Sequence, residues 1–260
     1  MRKIFLGVLT CAAASIAVYA DNSVSLIDQS NTGNLVTVDQ ADSFDGAFSE
    51  IDQSGMGNLA AIFQSDAGLG FIAPTNGSTV VQSGNNNIAA VVQRDYGQSS
   101  LITQISSNNF ATVFQGKAND GLQDTGNNRS VILQAGGGDN LAYVDQIQSS
   151  NVSSYVEQLG TGMVAYVDQS IVGNNDFSDV DQLGDFHYAE VLQPGDDNES
   201  YIVQTGSGNT ASVLQSGNGN ISDIQQGMSG NSASVSQITN NNKSLVDQNA
   251  SDGGTATIIQ

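Results

Sequence analysis

Gln82-Ser83-Gly84-Asn85-Asn86-Asn87-Ile88-Ala89-Ala90-Val91-Val92-Gln93 decides the architecture of this chain. Its apolar residues recur with period two rather than 3.6, so Asn87–Gln93 reads as a β-strand with Asn87, Ala89, Val91 and Gln93 on one side. The core of the phrase is a small residue, a spacer, Val or Ile, a spacer and Gln, and it recurs twenty times. The glutamines are Gln29, Gln40, Gln53, Gln64, Gln82, Gln93, Gln104, Gln115, Gln134, Gln146, Gln158, Gln169, Gln182, Gln193, Gln204, Gln215, Gln226, Gln237, Gln248 and Gln260. Val or Ile stands two residues before each of them. Four residues before, Ser (Ser25, Ser49, Ser78 and onward to Ser244) alternates with Ala (Ala60, Ala89, Ala111 and onward to Ala256), with Val36 the exception. The unit is therefore a pair of phrases, present ten times, and a fixed internal period of this kind marks a stacked-repeat architecture.

Working outward from the phrase, only packing demands one residue type at every repeat, so the regular face is the interior. The opposite face is irregular, with Asp39, Phe63, Val92, Asp145 and Ser236 at equivalent places. Linkers such as Thr205-Gly206-Ser207-Gly208 are rich in residues that tolerate the positive φ of tight turns. Pro74 and Pro194 both fall between strands, where a missing N–H does no harm. Seven strand residues and four turn residues, taken twice, make a rung of about 22, and parallel rungs stack at ~4.8 Å. The expected fold is all-β: a two-sided parallel β-solenoid of about ten rungs, two short strands per rung, cross-β and amyloid-like, with insertions near 65–75 and 116–127.

Met1-Arg2-Lys3, an apolar run from Ile4 to Ala17 and a small-residue site ending at Ala20 have the layout of a secretory signal, so residues 1–20 are read as removed and 21–260 as the solenoid. The residues before Cys11, Val8-Leu9-Thr10, fit a lipobox poorly. Cys11 is the only cysteine, which leaves the mature chain no disulfide, cysteine ligand or thiol nucleophile. Arg94, Lys117, Arg129 and Lys243 are its only cations; four against 26 acids leave a net charge of −22. Such a surface repels nucleic acid and anionic lipid. No second apolar run has membrane-spanning length.

Inward glutamines in a parallel stack are placed to bond the amides above and below, forming a structural ladder of all twenty. Inward asparagines six residues before the second-strand glutamines (Asn34, Asn58, Asn87, Asn109, Asn140, Asn209 and Asn231) are expected to form a second amide ladder. The first strand is expected to begin at Ser23 and the last to end at Gln260, with no capping segment at either end. Uncapped solenoid ends recruit further strands, so the chain is expected to add copies of itself head to tail. Outward acids (Asp28, Asp39, Asp52, Asp145, Glu157, Asp168, Asp181, Asp247) read first as a solvated, anti-aggregating face and second as oxygen ligands for calcium. Outward Phe63, Val92 and Phe114 fit either a lateral contact or tolerated exposure.

The full phrase, Gln82-x-Gly84-x-x-Asn87-x-Ala89-x-Val91-x-Gln93 and again Gln204-x-Gly206-x-x-Asn209-x-Ala211-x-Val213-x-Gln215, resembles the curlin repeat. The resemblance covers about residues 23–260. It implies a subunit or nucleator of curli, the functional amyloid fibres of biofilm matrix, secreted from a Gram-negative cell. Implied partners are other copies of the chain, an outer-membrane secretion pore, a nucleator subunit and periplasmic chaperones; no cofactor is implied. The departures are Ser four rather than six residues before the first-strand glutamines, twice the usual repeat number, and no secretion-address segment between Ala20 and Ser23.

Rival readings find less support. His187, the single histidine, occupies an inward asparagine slot and reads as packing rather than catalysis, and no P-loop, HExxH or G-x-S-x-G motif occurs. Outward threonines (Thr37, Thr79, Thr112, Thr257) form no grid for a surface-binding solenoid. Gly136-Gly137-Gly138-Asp139 is a lone echo of a calcium β-roll. A monomeric adhesin remains the alternative to a fibre subunit.

Overall fold

The computed structural model describes residues 13–17, 23–40, 46–65, 76–116, 126–170, 174–250 and 252–260. All its elements are strands, and among the described residues no helix is long and apolar enough to cross a membrane. The insertions read near 65–75 and 116–127 lie almost wholly outside the described residues, as does most of the segment read as a signal.

The first strands of the rungs are β2 (Val24–Gln29), β4 (Phe48–Ser54), β6 (Gly77–Ser83), β8 (Ser99–Gln104), β10 (Arg129–Gly136), β12 (Ser153–Thr161), β14 (Phe177–Asp185), β16 (Glu199–Ser207), β18 (Ile221–Gln226) and β20 (Lys243–Gln248). The second strands are β3 (Leu35–Asp39), β5 (Leu59–Ser65), β7 (Ile88–Arg94), β9 (Phe110–Gly116), β11 (Leu141–Ile147), β13 (Val164–Asp168), β15 (Tyr188–Leu192), β17 (Thr210–Gln215), β19 (Ser232–Gln237) and β21 (Thr255–Ile259). First strands stack into a 10-stranded sheet and second strands into an 11-stranded one, each in strict order along the chain. Every pairing is parallel, and equivalent positions face each other: Gln134 opposite Gln104 and Gln158, Val144 opposite Val113 and Val167. This is a two-sided parallel β-solenoid, the class that the period-two phrase predicts.

The eleventh strand of the second sheet is β1 (Ala13–Ala17), which pairs with β3, Ala13 opposite Leu35 and Ala17 opposite Asp39. It belongs to the segment read as a removed signal, so it covers the edge of β3 only in the chain that retains residues 1–20. The physical cause is the edge itself: β3 presents a row of unpaired main-chain groups, and the apolar segment that precedes β2 satisfies them.

Between the sheets lies a thin, dry core. The Val or Ile of each phrase is buried from Ile27 to Val246, with Ala60, Ala89, Ala111 and their equivalents beside them. Small residues at that position let the two sheets approach closely. Corner geometry is equally periodic. Seven residues before each second-strand glutamine the backbone is left-handed: glycine in six rungs (among them Gly33 and Gly57), Asn86, Asn108 and Asp139 in three, and Phe186 in one. Glycine and asparagine enter this region at little cost, whereas a bulky side chain does not.

Candidate functional site

The feature that sets this solenoid apart is the pair of glutamine columns in its interior. From β2 to β21 each glutamine lies over the next in its sheet, and Gln29 through Gln237 are sealed from solvent except for their neighbours in the column. In the first sheet Nε2 of Gln29 donates to Oε1 of Gln53 at 2.6 Å, Gln53 to Gln82 at 2.7 Å, and Gln82 to Gln104 at 2.8 Å. The chain continues through Gln134, Gln158, Gln182, Gln204 and Gln226 to Gln248. The second sheet repeats it from Gln40 through Gln64, Gln93, Gln115, Gln146, Gln169, Gln193, Gln215 and Gln237 to Gln260.

The second amide proton of each glutamine crosses the core. Nε2 of Gln134 donates to the carbonyl of Phe110 at 3.1 Å, and Nε2 of Gln115 donates to the carbonyl of Ser99 at 3.0 Å. The same bond recurs rung after rung, each time to the residue that opens a strand of the facing sheet. A carbonyl accepts only, so this contact fixes which end of the amide is nitrogen. Each interior glutamine thus joins three rungs vertically and two sheets horizontally. The columns are also polar: every link runs from Nε2 toward an Oε1 nearer the C-terminus.

The asparagine columns work differently from the expected amide-to-amide ladder. Oδ1 of Asn34 accepts the main-chain N–H of Asn58 at 2.9 Å, and Asn58 does the same for Asn87. Asn87 serves Asn109, and Asn109 serves Asn140. Asn140 accepts from Met163, Asn209 from Asn231 and Asn231 from Gly254. Their Nδ2 groups mostly bond corner carbonyls, as Asn58 does with Ser54 and Gly84. A side chain one bond shorter than glutamine reaches chiefly the backbone of the next rung; one amide-to-amide link, Nδ2 of Asn109 to Oδ1 of Asn87 at 3.2 Å, also forms. A matching column in the first sheet, including Asn76, Asn128, Asn198 and Asn220, was not foreseen. Its slots also hold Ser23, Ala47, Gln98, Val152 and Asp176, which hides the regularity.

His187 lies in the second asparagine column, 1 % exposed. Its Nδ1 accepts the N–H of Asn209 at 3.2 Å, and Nε2 lies 3.2 Å from the carbonyl of Leu183. These partners set the Nε2–H tautomer, and burial lowers its pKa. The serine column is less engaged. Ser49 donates to Ser25, and Ser100 to Ser78, both at 3.0 Å. The hydroxyls of Ser130, Ser154, Ser178, Ser200, Ser222 and Ser244 have no partner.

On the outer faces acids and tyrosines stack in register. Tyr143 and Tyr166 stack at 5.0 Å, and the Tyr143 hydroxyl donates to Asp145 at 3.3 Å. Burial raises the Tyr143 pKa to about 12, with the charge of Asp145 adding to it. Asp181 is pushed up to about 6, first by burial and then by Asp179 and Glu157. Among the described residues no group of three or more His, Cys, Asp or Glu is placed to hold a metal ion. Phe63, Val92 and Phe114 sit on adjacent strands, and a shallow cavity of about 150 Å³ lies beside Val92, Phe114 and Ile147.

The family model described as curlin associated repeat matches residues 173–206 and 195–227. No curated protein matches the chain. The matched segments take in β14 through β18, and the strands outside them pair in the same register. Residues 173–227 thus carry the curlin associated repeat, and the strands on either side repeat its Gln and Val/Ile positions in the same register.

Proposed function

We propose that this chain is a secreted structural subunit that assembles end to end into extracellular curli-like amyloid fibres, serving biofilm matrix and adhesion at the surface of a Gram-negative bacterium. The observation that carries this reading is the polarity of the glutamine columns. They end at Gln248 and Gln260, whose Nε2 groups bond only the carbonyls of Ser232 and Lys243. They begin at Gln29 and Gln40, and the Nε2-to-Oε1 order of the columns turns Oε1 toward that end, where Oε1 of Gln40 also accepts from the Ser25 hydroxyl at 2.9 Å. Donors at one end and acceptors at the other suit head-to-tail stacking, Gln248 over the next molecule's Gln29 and Gln260 over its Gln40. Head-to-head stacking would set donor against donor. Removal of residues 1–20 would take β1 off the edge of β3 and open both first-rung strands to an incoming copy. By the family resemblance the remaining partners are an outer-membrane pore, a nucleator subunit and periplasmic chaperones.

Purified residues 21–260 should form fibres with ~4.7–4.8 Å diffraction along the axis, and fibre fragments should abolish the lag before growth. Gln248→Ala or Gln260→Ala should slow elongation more than Asp145→Asn. A chain that stays monomeric in the presence of seeds would refute the fibre reading and leave a free-standing solenoid adhesin.

A further inference from the structure

Asp176 stands in a column of asparagines. Six residues before successive first-strand glutamines the column reads Asn128, Val152, Asp176, Asn198, Asn220, Asn242. Oδ1 of Asn198 accepts the main-chain N–H of Asn220 at 3.0 Å, and Oδ1 of Asn220 accepts that of Asn242 at 2.9 Å. Oδ1 of Asp176 accepts the N–H of Asn198 in the same way, at 2.8 Å. Half of the carboxyl therefore behaves as an asparagine. The other half differs. Asn128 and Asn198 direct Nδ2 to main-chain carbonyls, 3.0 Å from that of Ser149 and 3.4 Å from that of Gln215, while Nδ2 of Asn220 has no partner. Asp176 has Oδ2 in place of Nδ2, shut off from solvent and without a hydrogen-bond partner, in a residue 1 % exposed.

Among the described residues no counter-charge is recorded beside it. The corner above, Gln148-Ser149-Ser150-Asn151-Val152, is uncharged. The corner below carries Asp196 and Asp197, both of the same sign. His187, at the other corner of the same rung, is engaged with main-chain groups through both ring nitrogens. A bare carboxylate in such a place would hold an unpaired oxygen in low dielectric beside two acids. A protonated carboxyl offers an O–H donor beside a carbonyl acceptor, where the asparagine amide offers two N–H donors beside one.

We propose that Asp176 is carried as the neutral acid, its Oδ2–H standing in for an asparagine amide, and that the seventh rung, β14 with β15, is a proton-controlled rung that loosens in alkaline medium. Burial pushes the titration of Asp176 up to about 8, and Asp196 and Asp197 add to the shift, while hydrogen bonds from Asn198 oppose it. The folded rung then holds its proton more tightly than the unfolded chain does. Stability is greatest below the ordinary carboxylate range and falls as pH rises, by up to tenfold in the opening equilibrium per pH unit, until about pH 8. The device depends on the fold alone and operates in a single molecule or in a fibre.

The test is Asp176→Asn, a substitution that neighbouring rungs already carry. Amide exchange at Phe177 and Asn198, corrected for intrinsic pH dependence, reads the opening of the rung. The wild-type rung should open progressively more than the variant, the gap widening at least tenfold between pH 5 and pH 8. A gap that does not change with pH would overturn the proposal. An infrared titration of the wild-type protein gives a second readout that needs no variant. A protonated-carboxyl band should persist at pH 7 and disappear above pH 8, and its absence at pH 7 would equally overturn the proposal.

Discussion

Gln134 illustrates what one interior amide does. Its Oε1 accepts from Gln104, and its Nε2 donates to Gln158 and to the carbonyl of Phe110. Gln134→Ala removes the donor to Gln158 Oε1 and to the carbonyl of Phe110 and leaves Gln104 Nε2 with only the carbonyl of Ile88; at ~1–3 kcal/mol for each buried group left unpaired, the expected loss of stability is about 3 kcal/mol. Ser178 lies as deep and bonds nothing through its hydroxyl. Ser178→Ala should be neutral or slightly stabilising, since it removes a buried unpaired polar group and keeps the volume small. Denaturant unfolding of the two variants compares them directly. Asp181 adds a pH term. Its folded titration lies near 6, above the ordinary carboxylate range, so its contribution falls as pH rises from about 4 to about 6. Asp181→Asn should match the wild type in stability at pH 4 and exceed it at pH 7. A variant weaker at both values would show that the carboxylate is not strained by its neighbours.

Among elements, the strands and their register were legible and the corners were not. Alternation of Val91, Ala89 and Gln93 is enough to specify a strand and its inner face, because a one-residue slip would turn every glutamine outward. Identical phrases then force equal registers from β2 to β21. Three features needed coordinates. The bond from Gln134 to Phe110 depends on how two sheets meet across a corner, which no periodicity encodes. The asparagine columns were read as amide ladders because spacing says nothing of side-chain reach, and the first-sheet column was hidden by Val152 and Asp176. β1 falls in a segment whose sequence also satisfies the pattern of a signal. The left-handed position before each inward asparagine is a corner rule of the same kind, and Phe186 violates it at φ 57° with 68 % exposure. Phe186→Gly should therefore stabilise the solenoid by about 1 kcal/mol, measurable as a raised unfolding midpoint. A lowered midpoint would mean that the ring contributes packing that outweighs its backbone cost.

At the scale of the molecule, two continuous amide columns share one direction while the outer surface carries a large negative charge. The first property makes the stack extensible along its axis, and the second sets sideways approach against electrostatic repulsion. Growth should therefore be axial and polar. A cryo-electron microscopy reconstruction of the fibre tests this most directly. The account predicts an unbroken rung spacing of ~4.8 Å through the junction between subunits, with Gln248 over Gln29 and Gln260 over Gln40 of the next molecule. A junction interrupted by a capping segment, or glutamines facing solvent there, would contradict it.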